Sequence, residues 1–157
     1  MIETGQPAPD FELPDQKGNP VRLSDLRGRR VVLYFYPKAD TPGCTTQACG
    51  IRDHQADYDA AGATILGVSP DPVKAVKKFH EKYALSFDLL ADADHTVADE
   101  YGVWVEKSMY GRKYWGNARA TFVIDEEGIV RHVVPKASPK THDDVILAAL
   151  AELAPAA

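Results

Sequence analysis

The chain has 157 residues, 45% of them hydrophobic and 26% charged, enough for a real core without disulfide staples. A formal net charge of -5 argues against nucleic acid or an anionic membrane as the main partner, and two cysteines are too few for a disulfide-rich scaffold. Met1-Ile2-Glu3-Thr4-Gly5 has neither a basic start nor an apolar signal region, and the apolar run at residues 31–36 is far too short to span a bilayer. A cytoplasmic protein is expected, in which a lasting structural disulfide would be out of place.

Residues 11–13 and 21–23 read as short strands joined by a turn through Lys17-Gly18-Asn19-Pro20. Ser24 is placed to cap a brief helical turn that Gly28 stops. Residues 31–36 are continuously apolar, β-branched or aromatic, which predicts a central strand buried on both faces. From Cys44 to about Ala61 the spacing of Ala48, Ile51 and Tyr58 predicts one helix, ended by Gly62. Residues 63–68 form the next strand. Asp71-Pro72 opens a helix marked by Val73, Val76, Phe79 or His80, and Tyr83. Its lysines, Lys74, Lys77, Lys78 and Lys82, read as a solvated face. Residues 87–90 give a short strand and residues 96–101 a short helix closed by Gly102. Residues 120–124 and 129–134 flank Asp125-Glu126-Glu127-Gly128, a hairpin signal. Ile146, Ala149, Leu150 and Leu153 mark a last helix with Asp143 and Asp144 at its start. No linker or repeat divides residues 1–157, so one domain is expected. The order is that of a thioredoxin-like α/β fold: a mixed central sheet, parallel where helices cross over, flanked by helices and preceded by an N-terminal β-hairpin.

The chemistry concentrates at Cys44. It follows the buried strand by one tight turn and stands where a helix begins, so unpaired N–H groups and the positive dipole end favour a thiolate there. Thr41 offers a hydroxyl three residues earlier, and Pro37 and Pro42 stiffen the loop. Arg119, ahead of a buried strand, offers an always-charged fork of donors, although position alone favours a surface arginine. Cys49 is the only other cysteine. In a regular helix, residues five apart have Cα atoms roughly 8–9 Å apart, whereas a disulfide needs about 4.4–6.8 Å. Bridging Cys44 and Cys49 therefore requires local unwinding, and Gly50 lowers helix stability there by about 1 kcal/mol relative to Ala.

Other chemistries fit less well. His54, His80, His95, His132 and His142 show no metal-ligand spacing with the cysteines, and neither a metal nor a cofactor is expected. Trp104, Tyr110, Tyr114 and Trp115 suit either a partner surface or core and rim packing. A disulfide oxidoreductase would carry C-x-x-C rather than C-x4-C. A redox sensor or holdase using the same disulfide shares the first chemical step with a turnover enzyme, and both readings remain open on the residues alone.

Pro37-x-x-x-Thr41-x-x-Cys44 is similar to the peroxiredoxin signature, and residues 34–49 closely resemble the peroxiredoxin Q, or bacterioferritin comigratory protein, subgroup. Gly5-x-x-Ala8-Pro9-Asp10-Phe11, Gly67-Val68-Ser69 with Phe79 and Tyr83, residues 107–113 and residues 119–125 extend the likeness along nearly the whole chain. The resemblance implies a peroxiredoxin-type thioredoxin-like fold and a peroxidase acting on hydrogen peroxide and organic hydroperoxides. It makes Cys44 the attacking cysteine and Cys49 the resolving one, joined in a redox-active intramolecular disulfide. Thr41 and the backbone at Gly43 and Cys44 would hold the peroxide, Pro37 would shield the sulfur, and Arg119 would bind beside it. Thioredoxin, or a glutaredoxin, is the implied reductant, and a monomer or weak dimer the implied state. Gln47 stands where the subgroup often has Glu, and Ala120 where Ser is common.

Overall fold

In the computed structural model, which describes residues 1–153, β1 (Glu12–Pro14) and β2 (Pro20–Arg22) form the expected N-terminal hairpin. Its turn is held by Asp15, whose Oδ1 accepts the N–H groups of Lys17 at 2.8 Å and Asn19 at 3.0 Å. The following 3-10 turn, Leu23–Leu26, is not capped by Ser24, which lies inside it. Asp10 Oδ1 instead accepts the Ser24 N–H at 2.9 Å.

β3 (Arg30–Phe35) is the middle strand of a five-stranded sheet, because only a doubly covered position removes both of its apolar faces from water. It runs parallel to β4 (Ala63–Ser69), which pairs in parallel with β5 (Asp88–Ala91). β3 and β4 are connected through α1 (Pro42–Asp53) and α2 (Gln55–Ala60), and β4 and β5 through α3 (Val73–Lys82). The single helix expected after Cys44 is thus two. At His54 the backbone leaves helical geometry (φ -105°, ψ 17°), and the ring Nδ1 bonds the Gly50 carbonyl at 2.9 Å, drawing on an acceptor of the helical ladder.

Beyond β5, α4 (Thr96–Tyr101) leads to β6 (Trp104–Met109) and β7 (Arg112–Asn117), an antiparallel hairpin that no sequence expectation covered. Tyr110 and Gly111, at φ 52° and 77°, make its two-residue turn, a conformation usually signalled by Asn-Gly. β8 (Thr121–Ile124) then pairs antiparallel with β3 and with β9 (Val130–Val134), giving the order β5-β4-β3-β8-β9, and α5 (His142–Glu152) closes the chain. The sheet is mixed, as expected.

The two faces of β3 feed two cores. Val32, Tyr34 and Tyr36 pack with Cys44, Ala48, Ile51, Phe79 and Ile146 beneath α1, α3 and α5. Val31, Leu33 and Phe35 pack with Leu13, Tyr101 and Phe122 beneath α4 and the N-terminal hairpin. Gly67 of β4 has no room for a side chain: a Cβ there would lie 2.7 Å from the Tyr34 ring and 2.8 Å from Leu89. Among the described residues no helix is long and apolar enough to cross a membrane.

Candidate active site

The loop from β3 to α1 carries Pro37 and Thr41 and is tied down from outside. Asp71 accepts the Ala39 N–H at 2.8 Å, and Asp40, itself at φ 60°, takes Lys82 Nζ at 2.9 Å and the Tyr83 hydroxyl at 3.0 Å. Thr41 Oγ1 donates to the Lys38 carbonyl at 2.8 Å, which leaves its lone pairs as acceptors for an incoming O–H. Pro42 occupies the first turn of α1, so Cys44 is the third helical residue, where backbone N–H groups lack helical partners. Its side chain belongs to the core and is only 2% exposed.

Arg119 reaches this thiol from the segment between β7 and β8. Its carbonyl accepts the Ala137 N–H at 2.7 Å, fixing the backbone, and Nη2 donates to Cys44 Sγ at 3.5 Å. Nη1 donates to Gln47 Oε1 at 2.8 Å. The guanidinium passes so close to α1 that a Cβ on Gly43 would stand 3.0 Å from Nη2. Ala120 is fully buried and its carbonyl accepts the Phe35 N–H at 2.8 Å, anchoring the base of this segment to β3.

Among the described residues, the side-chain hydrogen-bond partners of Arg119 are a thiol and an amide rather than a carboxylate. His142, bonded through Nε2 to Thr121 Oγ1 at 2.9 Å, is lowered to about 4 by burial and then by the Arg119 charge, so it stays neutral. Burial, with Arg119 second, also lowers Lys107. Burial pushes the Tyr34 phenol far up, with Tyr36 the next cause, so it remains an uncharged member of the core that holds Cys44. An open groove of about 350 Å³, lined by Pro42, Gly43, Thr46, Ser138, Pro139 and Lys140, borders the helix start.

Gly43, Cys44 and Arg119 are therefore gathered in one place, with Thr41 at the N-cap of the same helix and Pro37 half-buried in the adjoining loop. Cys49 is not gathered with them. Both thiols are free, Cys44 buried and Cys49 half-buried, and α1 runs unbroken through the two. Gln47 is buried at 1% exposure with no hydrogen-bond partner for Nε2 among the described residues, and the sequence marks it only as a departure from the subgroup. Its spacing of three from Cys44 on one helix was the signal that both share a face. Tyr34 and Lys107 carried no such signal. Among the described residues no group of three or more His, Cys, Asp and Glu could hold a metal ion.

The geometry has close counterparts. The profile of the AhpC/TSA family matches residues 4–133. A putative peroxiredoxin bcp of Coxiella burnetii is 52% identical over 141 residues, covering 90% of this chain and 93% of the relative. Peroxiredoxin Bcp of Escherichia coli K12 is 47% identical over 146 residues, covering 93% and 94%. Among solved structures, peroxidoxin BcpB of Mycobacterium tuberculosis superposes with a TM-score of 0.88 at 41% identity, over 98% of this chain and 99% of that one. The bacterioferritin comigratory protein of Xanthomonas campestris, studied for alkyl peroxide reduction, superposes with a TM-score of 0.85 at 38% identity, over 90% of each chain. The chain belongs to the AhpC/TSA family, among the peroxiredoxins of the bacterioferritin comigratory protein type.

Proposed function

We infer that the chain is a cytoplasmic, thioredoxin-dependent peroxidase in which Cys44 attacks hydrogen peroxide or an organic hydroperoxide. The observation that carries this reading is the Arg119 guanidinium 3.5 Å from a thiol set in the first turn of α1 and 2% exposed. The Cys44 thiolate attacks one peroxide oxygen, the O–O bond breaks, and the alkoxide or hydroxide leaves as it takes up a proton. Cys44 becomes a sulfenic acid. Arg119 and the N–H groups of the first turn supply fixed donors for the charge passing from sulfur to oxygen. Thr41 accepts the peroxide O–H, Gly43 gives the guanidinium its space, and Pro37 screens the sulfur from water.

In the second step Cys49 attacks the sulfenic sulfur, forming the Cys44–Cys49 disulfide and releasing water. Thioredoxin, or a glutaredoxin, then restores both thiols by exchange. The protein works as a monomer or weak dimer. The alkyl peroxide chemistry of the Xanthomonas relative supports the substrate class.

Intact-protein mass spectrometry after one equivalent of peroxide tests the reading. A loss of two hydrogens is expected in the native chain, and a gain of one oxygen in Cys49→Ser. With thioredoxin and its reductase, the native chain should consume peroxide continuously, Cys49→Ser should stop after one turnover, and Cys44→Ser should consume none. Arrest of the native chain after one equivalent would make it a sensor rather than an enzyme. Unimpaired multiple turnover by Cys49→Ser would remove the resolving role from Cys49.

A further inference from the structure

At the far end of α1 from Cys44, the first turn of α5 presses a carboxylate against the helix. Asp143 lies against Gly50 so closely that a Cβ on that glycine would be 2.5 Å from Asp143 Oδ2. Oδ1 accepts the Tyr58 hydroxyl at 2.6 Å, and Oδ2 lies 3.5 Å from His54 Nδ1. That same nitrogen bonds the Gly50 carbonyl at 2.9 Å. Both neighbours of Nδ1 are acceptors, so Nδ1 carries the proton. One side chain on α5 thus joins the last turns of α1, the break at His54 and α2. Burial raises the Asp143 carboxyl, with the Tyr58 bond acting in the opposite sense, so the group depends on these partners.

Gly50 adjoins Cys49 in the chain. Cys49 cannot approach Cys44 within the Cα separation of about 4.4–6.8 Å that a disulfide needs unless this part of α1 opens. Opening pulls the Gly50 carbonyl off His54 and the Gly50 backbone off Asp143.

We propose that Asp143 is a positioning residue for the resolving step: it latches the second half of α1 closed and sets how fast Cys49 reaches oxidised Cys44. The proposal rests on the resolving role assigned to Cys49. It also changes the reading of Gly50, whose missing side chain is a seat for the latch before it is a weak point in the helix.

Two readouts test it. Amide exchange of α1 in the reduced protein, without peroxide, reports the latch independently of Cys49. Acid-quenched mass spectrometry after one equivalent of peroxide reports the rate of disulfide formation. Asp143→Ala is expected to raise both by about tenfold, the effect of losing a hydrogen bond to a charged group. Asp143→Asn keeps an acceptor for Tyr58 but puts an amide NH2 in place of the carboxylate oxygen opposite His54 Nδ1, so it should fall between, and it carries the test should the alanine variant not fold. Gly50→Ala separates the latch from plain helix propensity. In the native background its Cβ evicts the carboxylate and speeds both readouts; combined with Asp143→Ala it fits, and slows them about fivefold through alanine's preference for helix. Gly50→Ala slowing both backgrounds alike, or Asp143 variants indistinguishable from the native chain, would overturn the proposal. Absence of any intramolecular disulfide in the native chain would instead refute the resolving role of Cys49, with the exchange measurement still deciding the latch.

Discussion

A guanidinium is useful beside Cys44 only while its fork stays aimed, and two small choices aim it. Gln47 takes Nη1 at 2.8 Å without neutralising the charge, and Gly43 withholds the Cβ that would stand 3.0 Å from Nη2. Removing one preorganised donor to a developing charge costs roughly 100-fold in rate or more. Arg119→Met should therefore slow single-turnover oxidation of Cys44 by about that factor. Gly43→Ala, which displaces the fork without deleting it, should slow the step about tenfold, less than the roughly 100-fold of a full 1 Å misplacement because a 3.0 Å contact needs a smaller shift. Stopped-flow measurement of peroxide consumption checks both, and a native rate in Arg119→Met would deny the guanidinium its part. Thr41 gives its proton to the Lys38 carbonyl, so its hydroxyl can meet an incoming O–H only as an acceptor.

Short elements need outside help, because a helix of one or two turns leaves most of its backbone groups unpaired. α4 has six residues, and its N-terminus is satisfied by Asp92, buried at 1% exposure, which accepts the N–H groups of Val97 at 3.2 Å and Ala98 at 2.9 Å. Asp92→Ala should cost about 1–3 kcal/mol, the range for orphaning buried donors. Urea unfolding followed by circular dichroism checks this, and a loss under about 0.5 kcal/mol, the surface-substitution range, would mean that α4 is held by packing alone. α4 also fixes the base of the β6–β7 hairpin, since His95 at its start stacks on Trp104 with ring centroids 4.0 Å apart. The hairpin itself leaves Trp115 at 58% and Tyr110 at 98% exposed, so these aromatics serve neither core.

Across the whole molecule, the buried histidine couples stability to pH. His142 is 2% exposed and lowered to about 4, against about 6.5 in an unfolded chain. Below pH 6.5 the unfolded chain takes up a proton that the folded one refuses, so stability falls as pH drops from 6.5 towards 4 and levels off below that. The full difference is about 3 kcal/mol. The raised carboxyl of Asp143 works in the opposite sense at lower pH. Urea titrations at pH 4.5 and 7 should show His142→Gln with a shallower loss than the native chain, by about 2 kcal/mol. Equal pH dependence in the two would mean that His142 titrates normally in the fold.

Local chemistry was legible wherever a residue's meaning depends on its immediate neighbours. The apolar run of β3, a helix beginning close to Cys44 (in the fold two residues earlier, at Pro42), the hairpin at Gly128 and the spacing of Thr41 to Cys44 all follow from backbone preference and period, and the family motif rides on them. The β6–β7 hairpin escaped because Trp-Val-Glu-Lys-Ser-Met alternates too weakly and Tyr110 is an unusual residue for its turn. The break at His54 escaped because the competing acceptor use and the partner on α5 lie outside any helical period. By itself, the chain's order of residues determined the mixed sheet, the element sequence apart from the β6–β7 hairpin and the break at His54, and which thiol is proposed to react. Only the tertiary structure decided that Arg119 and Gln47 meet beside that thiol, 75 and 3 residues away along the chain, and that Asp143 seats on Gly50. Such contacts arise when sheet pairing closes long loops, and a pattern of neighbours along a chain carries no record of which distant groups that closure brings within hydrogen-bond reach.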